Sequence, residues 1–171
     1  MVRNHSKGKR KEMKILVVSD THRYQDIFYD VLSELDDIDY VIHCGDTEGF
    51  EDEMEAACDV PFVAVAGNND FCSYLPRERV LELMGHRIFV THGHMYNVSS
   101  GLGRLIDEAE DRECDVVLFG HTHRPTYCTD GKILVANPGS ISLPRQASRR
   151  PSYAILEIEE NKEAKITIEE I

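Results

Sequence analysis

Residues 14–22 read KILVVSDTH. Four consecutive aliphatic residues, Ile15, Leu16, Val17 and Val18, run almost directly into an acid and an imidazole, Asp20 and His22. An unbroken apolar run of that length is what a strand covered on both faces requires. The pattern recurs downstream. YVIHCG (40–45) leads to Asp46, FVAVAG (62–67) to Asn68, RIFVT (87–91) to His92, and DVVLFG (115–120) to His121 and His123. In open α/β sheets, sites form outside the carboxyl ends of the strands. Asp, Asn and His scattered at random would not follow strand ends. Asp20, His22, Asp46, Asn68, His92, His121 and His123 therefore point at one crevice, with enough oxygen and nitrogen ligands for two divalent metal ions.

The segments between these strands carry other periods. Ile27, Phe28, Val31, Leu32 and Leu35 recur at helical spacing and predict a helix over 25–35. A short acidic helix is expected over 48–57, and a longer one over 101–112 with Leu102, Leu105, Ile106 and Ala109 on one face. Residues 80–84 and 87–91 flank Gly85 as a hairpin, and Asp130-Gly131 is a strong hairpin turn between 126–129 and 132–136. Residues 153–159 and 164–168 form a last hairpin. Alternating strand and helix followed by a strand-rich end predicts an α/β protein with a mixed sheet, or two packed sheets, and helices outside.

The chain has 171 residues, 42% of them hydrophobic, which favours one domain with a real core over residues 13–171. Residues 1–12 are polar, basic and aperiodic, with Lys7, Lys9, Arg10 and Lys11 clustered. They are expected to be a disordered extension, or the product of an upstream start with Met13 as the working start. A net charge of −12 argues against long nucleic acid and anionic membrane as partners. No apolar stretch reaches membrane-spanning length and the start lacks a signal peptide's apolar centre, so a cytoplasmic location is expected. Five scattered cysteines without a CxxC pair read as free thiols, mostly buried, Cys44 above all.

Each motif has a plainer alternative. Asp20 and His22, two apart in extended backbone, face the same way; alternatively Asp20 caps the following helix. Gly45-Asp46 is a common turn, yet a carboxylate has two oxygens with which to bridge two cations. Two Asn in succession exceed what a turn needs, so Asn68 offers an amide oxygen to a metal, Asn69 reads as a turn residue, and Asp70 braces the loop or a ligand imidazole. The pairs His92/His94 and His121/His123 are the sharpest signals, since imidazole pairs at strand ends are rarely core. His43 is read as structural or supporting, and His86 as exposed. Asn137-Pro138-Gly139-Ser140 is a turn, or else a place where backbone N–H groups and Ser140 face a phosphate oxygen. Arg145, and less so Arg149 and Arg150, are candidates to hold that anion.

Taken together and in this order, DTH, GD, GNND, THGH and GHTH resemble the calcineurin-like metallophosphatase superfamily. The NPGS segment and short length resemble its small YfcE-type phosphodiesterase branch. The resemblance covers nearly all of 13–171 and implies a four-layer αββα sandwich of two mixed β-sheets flanked by helices. It assigns Asp20, His22, Asp46 and His123 to one metal, and Asp46, Asn68, His92 and His121 to the other, with Asp46 as the bridge. His94 is then placed near the substrate, with Asn69 and Asp70 counted beside it among the catalytic residues, and Asn137, Gly139, Ser140 and Arg145 remain the expected phosphate residues. Many monoesterases of the superfamily carry His after the ligand Asn; here that position is Asn69, as in the YfcE-type branch and the retromer's phosphoesterase-like subunit.

The expected activity is hydrolysis of phosphodiesters, with two cations (Mn first; Ni, Fe or Zn also suited) activating water for attack on phosphorus. A small diester is the expected substrate and a homodimer through the final hairpin's edge a possible assembly. Two other classes stay open: a protein-interaction scaffold on a degenerate phosphoesterase fold, and a metal hydrolase of amides or lactones.

Overall fold

The structure, a computed structural model, describes residues 12–171. Its elements in chain order are β1 (Glu12–Val18), α1 (Asp26–Glu34), β2 (Tyr40–His43), α2 (Glu51–Ala57), β3 (Phe62–Ala64), β4 (Glu78–Leu83), β5 (His86–Thr91), a 3₁₀ turn (His94–Tyr96), α3 (Gly103–Asp111), β6 (Val116–Leu118), β7 (Thr126–Asp130), β8 (Ile133–Asn137), β9 (Ser152–Glu159) and β10 (Lys165–Glu170). β1 begins at Glu12, the last residue of the expected extension; residues 1–11 lie outside the described residues.

Two five-stranded sheets result, ordered β10-β9-β1-β2-β3 and β4-β5-β6-β8-β7. Both are mixed. β1, β2 and β3 run parallel, as do β5, β6 and β8, while β9, β10, β4 and β7 are antiparallel to their neighbours. The unbroken apolar runs follow from burial on both faces. Ile15 and Val17 point between the sheets with Ile42, Ile88, Val90, Val116, Leu118, Leu134 and Leu156. Their neighbours Leu16 and Val18 pack with Phe28 and Val31 of α1 and Met54 of α2. On the far side Phe89, Val117 and Val135 pack with Leu105 and Ala109 of α3. The period of two along each strand thus feeds two apolar layers at once. The molecule is the four-layer αββα sandwich, with helices outside both sheets.

Some expectations are corrected. His86 is only 5% exposed, not solvent-facing. Its Nδ1 meets Asp115 Oδ2 at 2.5 Å and its Nε2 meets the Glu159 carbonyl at 3.0 Å, so it ties β5 to the opposite sheet at the end far from the metal-type ligands. An imidazole beside the turn at Gly85 is drawn inward because two acceptors wait there. All five cysteines are free, but Cys72 and Cys128 are exposed; only Cys44 and Cys114 are buried. Among the described residues no helix is long and apolar enough to cross a membrane. β10 is an edge strand and carries Lys165, Glu169 and Glu170, charges of the kind that discourage unintended pairing.

Candidate metal centre

The carboxyl ends of β1, β2, β5 and β6 come together at one end of the sandwich, with the loop after β3 beside them. Five ligand-type residues there hold left-handed backbone: Asp20 (φ 56°), His22 (45°), Asp46 (61°), His121 (69°) and His123 (57°). Asp and His tolerate this conformation better than bulky residues, and each sharp reversal turns a side chain back over the strand ends. Gly67 and Gly120 allow the loops to close. A Cβ on Gly67 would collide with the Asp46 carboxylate and backbone, and one on Gly120 with Ser19 Oγ and Asp20 Oδ2.

Asp20 is fully buried. Its Oδ2 accepts from Ser19 Oγ at 2.6 Å and from the His121 N–H at 3.1 Å. Its Oδ1 has no hydrogen-bond partner. Facing that oxygen are His123 Nε2 at 3.1 Å, His22 Nε2 at 3.6 Å and His92 Nε2 at 3.8 Å. The same rings are anchored at their other nitrogen. His22 Nδ1 donates to Glu48 Oε1 at 2.7 Å, His92 Nδ1 to the Cys44 carbonyl at 2.7 Å, and His123 Nδ1 to the Leu143 carbonyl at 2.7 Å. Carbonyls only accept, so Nδ1 carries the proton and the neutral ring turns its Nε2 lone pair inward. His22 and His123 bring those nitrogens to 3.0 Å. Lone pairs converging on an orphaned carboxylate oxygen are what a divalent cation requires. The residues present fit such an ion.

Asp46 stands between the two halves. Its Oδ2 lies 3.6 Å from His22 Nε2 and 3.3 Å from His92 Nε2. Asn68 Oδ1 completes the second half, 3.0 Å from His92 Nε2 and 2.9 Å from His121 Nδ1. Two ligand groups, Asp20-His22-His123 and Asp20-Asp46-His92, each gather their ligand atoms within 4.8 Å. All seven expected ligands thus meet in one place, with Asn68 on the open side.

The electrostatics express the same crowding. Burial works against ionised Asp20, but the facing imidazoles of His123, His22 and His92 win and hold its carboxyl well below the usual range. Burial is likewise outweighed at Asp46, lowered to about 2 by His92 and the Asn69 contacts. At His22 burial is overcome by Asp20 and Glu48, which raise it to about 9. Without a cation the acids thus favour a second proton on His22 and His92, which a bound metal would displace.

The supporting residues divide between expected and missed. Asp70 braces the loops. Its Oδ2 accepts from the Asp46 N–H (2.8 Å) and the Gly67 N–H (2.7 Å), and its Oδ1 from the Glu48 N–H (2.6 Å) and Thr47 Oγ1 (3.3 Å). Asn69 is more than a turn residue: its backbone N–H and Nδ2 donate to the two oxygens of Asp46, each at 2.8 Å. His94 is half-buried in the 3₁₀ turn, its ring 5.4 Å from that of His92 and 6.1 Å from that of His121, with Nδ1 unpartnered. Glu48 was not singled out from sequence, although it falls two residues after Asp46. The Cys44 and Leu143 carbonyls leave no sequence signal, since any residue supplies one.

The phosphate-facing role expected of Asn137, Gly139 and Ser140 is not what the structure shows. All three are buried. Asn137 Nδ2 donates to the Gly120 carbonyl (2.8 Å), and its Oδ1 accepts the Gly139 N–H (2.8 Å). Ser140 Oγ donates to the Asp20 carbonyl (2.8 Å) and accepts the Leu143 N–H (2.8 Å). These groups hold the Asp20 and His121 loops, and the side-chain donors of Asn137 and Ser140 and the Gly139 N–H are engaged within the protein. Arg145 is exposed and lines a cleft with His121; Arg150 turns away, to the carbonyl of Ile171 at 3.1 Å.

His43 lies beneath the site. Its Nδ1 accepts the Gly45 N–H at 3.1 Å and its Nε2 faces Thr21 Oγ1 at 3.2 Å. Burial lowers it from 6.5 to about 4, against the pull of Asp20 and Asp70. It therefore folds neutral. Its contribution is complete above pH 6.5 and is lost as pH falls towards 4, by at most about 3 kcal/mol. The denaturant midpoint of metal-free protein should drop across that window, and His43→Asn should flatten the drop. An equally steep drop in the variant would remove His43 from the account.

Comparison with known proteins accords with this geometry. Residues 13–161 match the calcineurin-like phosphoesterase superfamily domain. The chain belongs to that superfamily. Among relatives of this calcineurin-like phosphoesterase, "Probable metallophosphoesterase YsnB" of Bacillus subtilis is 36% identical over 149 residues, covering 86% of this chain and 85% of its own. "Phosphodiesterase YfcE" of Escherichia coli is 35% identical over 104 residues, 56% of this chain and 52% of its own. A crystal structure of a predicted phosphoesterase from Streptococcus pneumoniae superposes with a TM-score of 0.77 at 31% identity, covering 92% of this chain and 98% of the other.

Proposed function

We propose that this calcineurin-like phosphoesterase is a metal-dependent phosphodiesterase of small substrates, of the YfcE type, with manganese the first metal to test. When bound, two divalent cations supply Lewis acidity and lower the pKa of water. Asp20, His22, Asp46 and His123 would hold one; Asp46, Asn68, His92 and His121 the other. The observation that carries the diester reading is Asn69. Its amide is committed to orienting Asp46, and an amide is no proton donor for a leaving group. With an amide and not an imidazole at position 69, that position supplies no acid for an alkoxide, and good leaving groups are favoured. His94, whose ring lies 5.4 Å from that of His92 and 6.1 Å from that of His121, is not among the residues assigned to a metal, and we assign it delivery of a proton to the leaving oxygen as the P–O bond breaks.

The test is a panel of diesters and monoesters on metal-stripped protein with single divalent ions added back. The expected result is bis(p-nitrophenyl) phosphate turned over faster than alkyl monophosphates. Equal or faster monoester turnover overturns the preference, and two bound metals with no diesterase activity favour the scaffold reading. His94→Ala should cut kcat about a hundredfold for a diester with a poor leaving group, less for a p-nitrophenyl ester, with metal content unchanged. Loss of a metal ion would instead make His94 a ligand.

A further inference from the structure

A cleft of about 680 Å³ opens beside His121, within the range of sites that enclose a small organic ligand. Its apolar side is formed by the partly exposed Leu102 and Pro125, backed by Val98 and Phe119 of the cluster packed under α3. Its polar side carries Arg124 and Arg145, both exposed. No Asp or Glu lines it, in a chain with 31 acidic residues against 19 Lys and Arg. Among the described residues neither guanidinium has an ion-pair partner. Arg23 pairs with Glu48, Arg87 with Glu82, and Arg112 with Glu78 and Glu108, whereas these two arginines share one wall that carries no acid. Two exposed guanidinium groups on a carboxylate-free wall offer positive charge to an anion.

We infer that this cleft receives one arm of the substrate and that the arm is nucleotide-like. This rests on the phosphodiesterase reading above. The scissile phosphate belongs at the metal ligands, of which His121 alone borders the cleft. The arginines are therefore available to a second anion on the same molecule. The apolar side offers Leu102 and Pro125, both partly exposed, to a flat ring, with the buried Val98 and Phe119 behind them. A ring joined to a phosphate beyond the scissile one is the composition of a nucleoside bisphosphate ester or of a short oligonucleotide end. A simple alkyl or glycerol diester satisfies neither wall.

The substrates that decide this are thymidine 5′-(p-nitrophenyl phosphate) with and without a 3′-phosphate. Wild-type protein should favour the 3′-phosphorylated ester by about tenfold in kcat/KM, about what one charge-assisted hydrogen bond supplies. In the Arg124→Ala/Arg145→Ala variant that ratio should fall to about one. A ratio near one in the wild type, or about tenfold in the variant, overturns the inference. Leu102→Ala should lower kcat/KM for the thymidine esters relative to methyl p-nitrophenyl phosphate, and an unchanged ratio removes the ring from the apolar wall. Calorimetry of thymidine 3′,5′-bisphosphate against thymidine 5′-monophosphate gives a reading independent of turnover. The bisphosphate should bind about tenfold more tightly to the wild type and with no such advantage to the double variant; equal affinities in the wild type overturn the cleft assignment. If neither ester is hydrolysed the phosphodiesterase reading falls, and calorimetry alone decides the cleft.

Discussion

Asp46→Asn should lose affinity for both cations and at least about a hundredfold in kcat, even with metal in excess. Two effects act together. The carboxylate lies 3.3 Å from His92 Nε2 and 3.6 Å from His22 Nε2, so its charge serves both halves of the site. Both of its oxygens also accept from Asn69, one from the backbone N–H and one from Nδ2. An amide in that place turns an NH₂ group towards one of those donors whichever way it flips. A donor facing a donor in a buried site leaves both unsatisfied, at a cost of about 1–3 kcal/mol each. Metal content by mass spectrometry and kcat under metal saturation are the measurements. A variant with wild-type turnover would mean that Asp46 is not shared between cations.

Asp70→Ala should be nearly as damaging without touching a ligand atom. The carboxylate gathers the N–H groups of Asp46, Gly67 and Glu48 and the hydroxyl of Thr47. It thereby fastens the loop that carries Asp46 to the loop that carries Asn68. Removing it strands three backbone donors in a buried region, for an expected loss of about 3 kcal/mol or more in unfolding free energy. Metal affinity should fall roughly ten- to a hundredfold, as for other partners that orient ligands. Denaturant unfolding of the metal-free protein separates the two effects, and Asp70→Asn, which keeps one acceptor oxygen, should lie between. A stable Asp70→Ala protein with normal metal affinity would show that the two loops hold their shape unaided.

The candidate ligands were legible in the sequence because each sits where an apolar run stops, and a strand end is a position that hydrophobicity alone marks. The same periodicity located every strand, including both hairpins of the second half, because turn residues such as Asp130-Gly131 have local causes. What was not legible depends on partners distant in the chain. His86 looked exposed beside its turn, yet Asp115 and the Glu159 carbonyl draw it inward. Asn137, Gly139 and Ser140 looked ready for a phosphate; the loops carrying Asp20 and His121 already consume their hydrogen bonds. The carbonyls that orient His92 and His123 come from Cys44 and Leu143, where side-chain identity is irrelevant. The cleft beside His121 joins residues from the segment before α3, the end of β6 and the loop after β8, an assembly visible only in three dimensions.

The positive backbone angles at Asp20, His22, Asp46, His121 and His123 have a thermodynamic corollary. Each non-glycine residue in that region costs about 1–2 kcal/mol that glycine would not. At Asp20 and Asp46 the carboxylates offset that strain by satisfying buried donors, which glycine would strand. At the partly exposed His121 nothing of the kind offsets it, so selection for heat resistance alone, with no demand for turnover, should enrich glycine there first and yield sturdier, inert descendants.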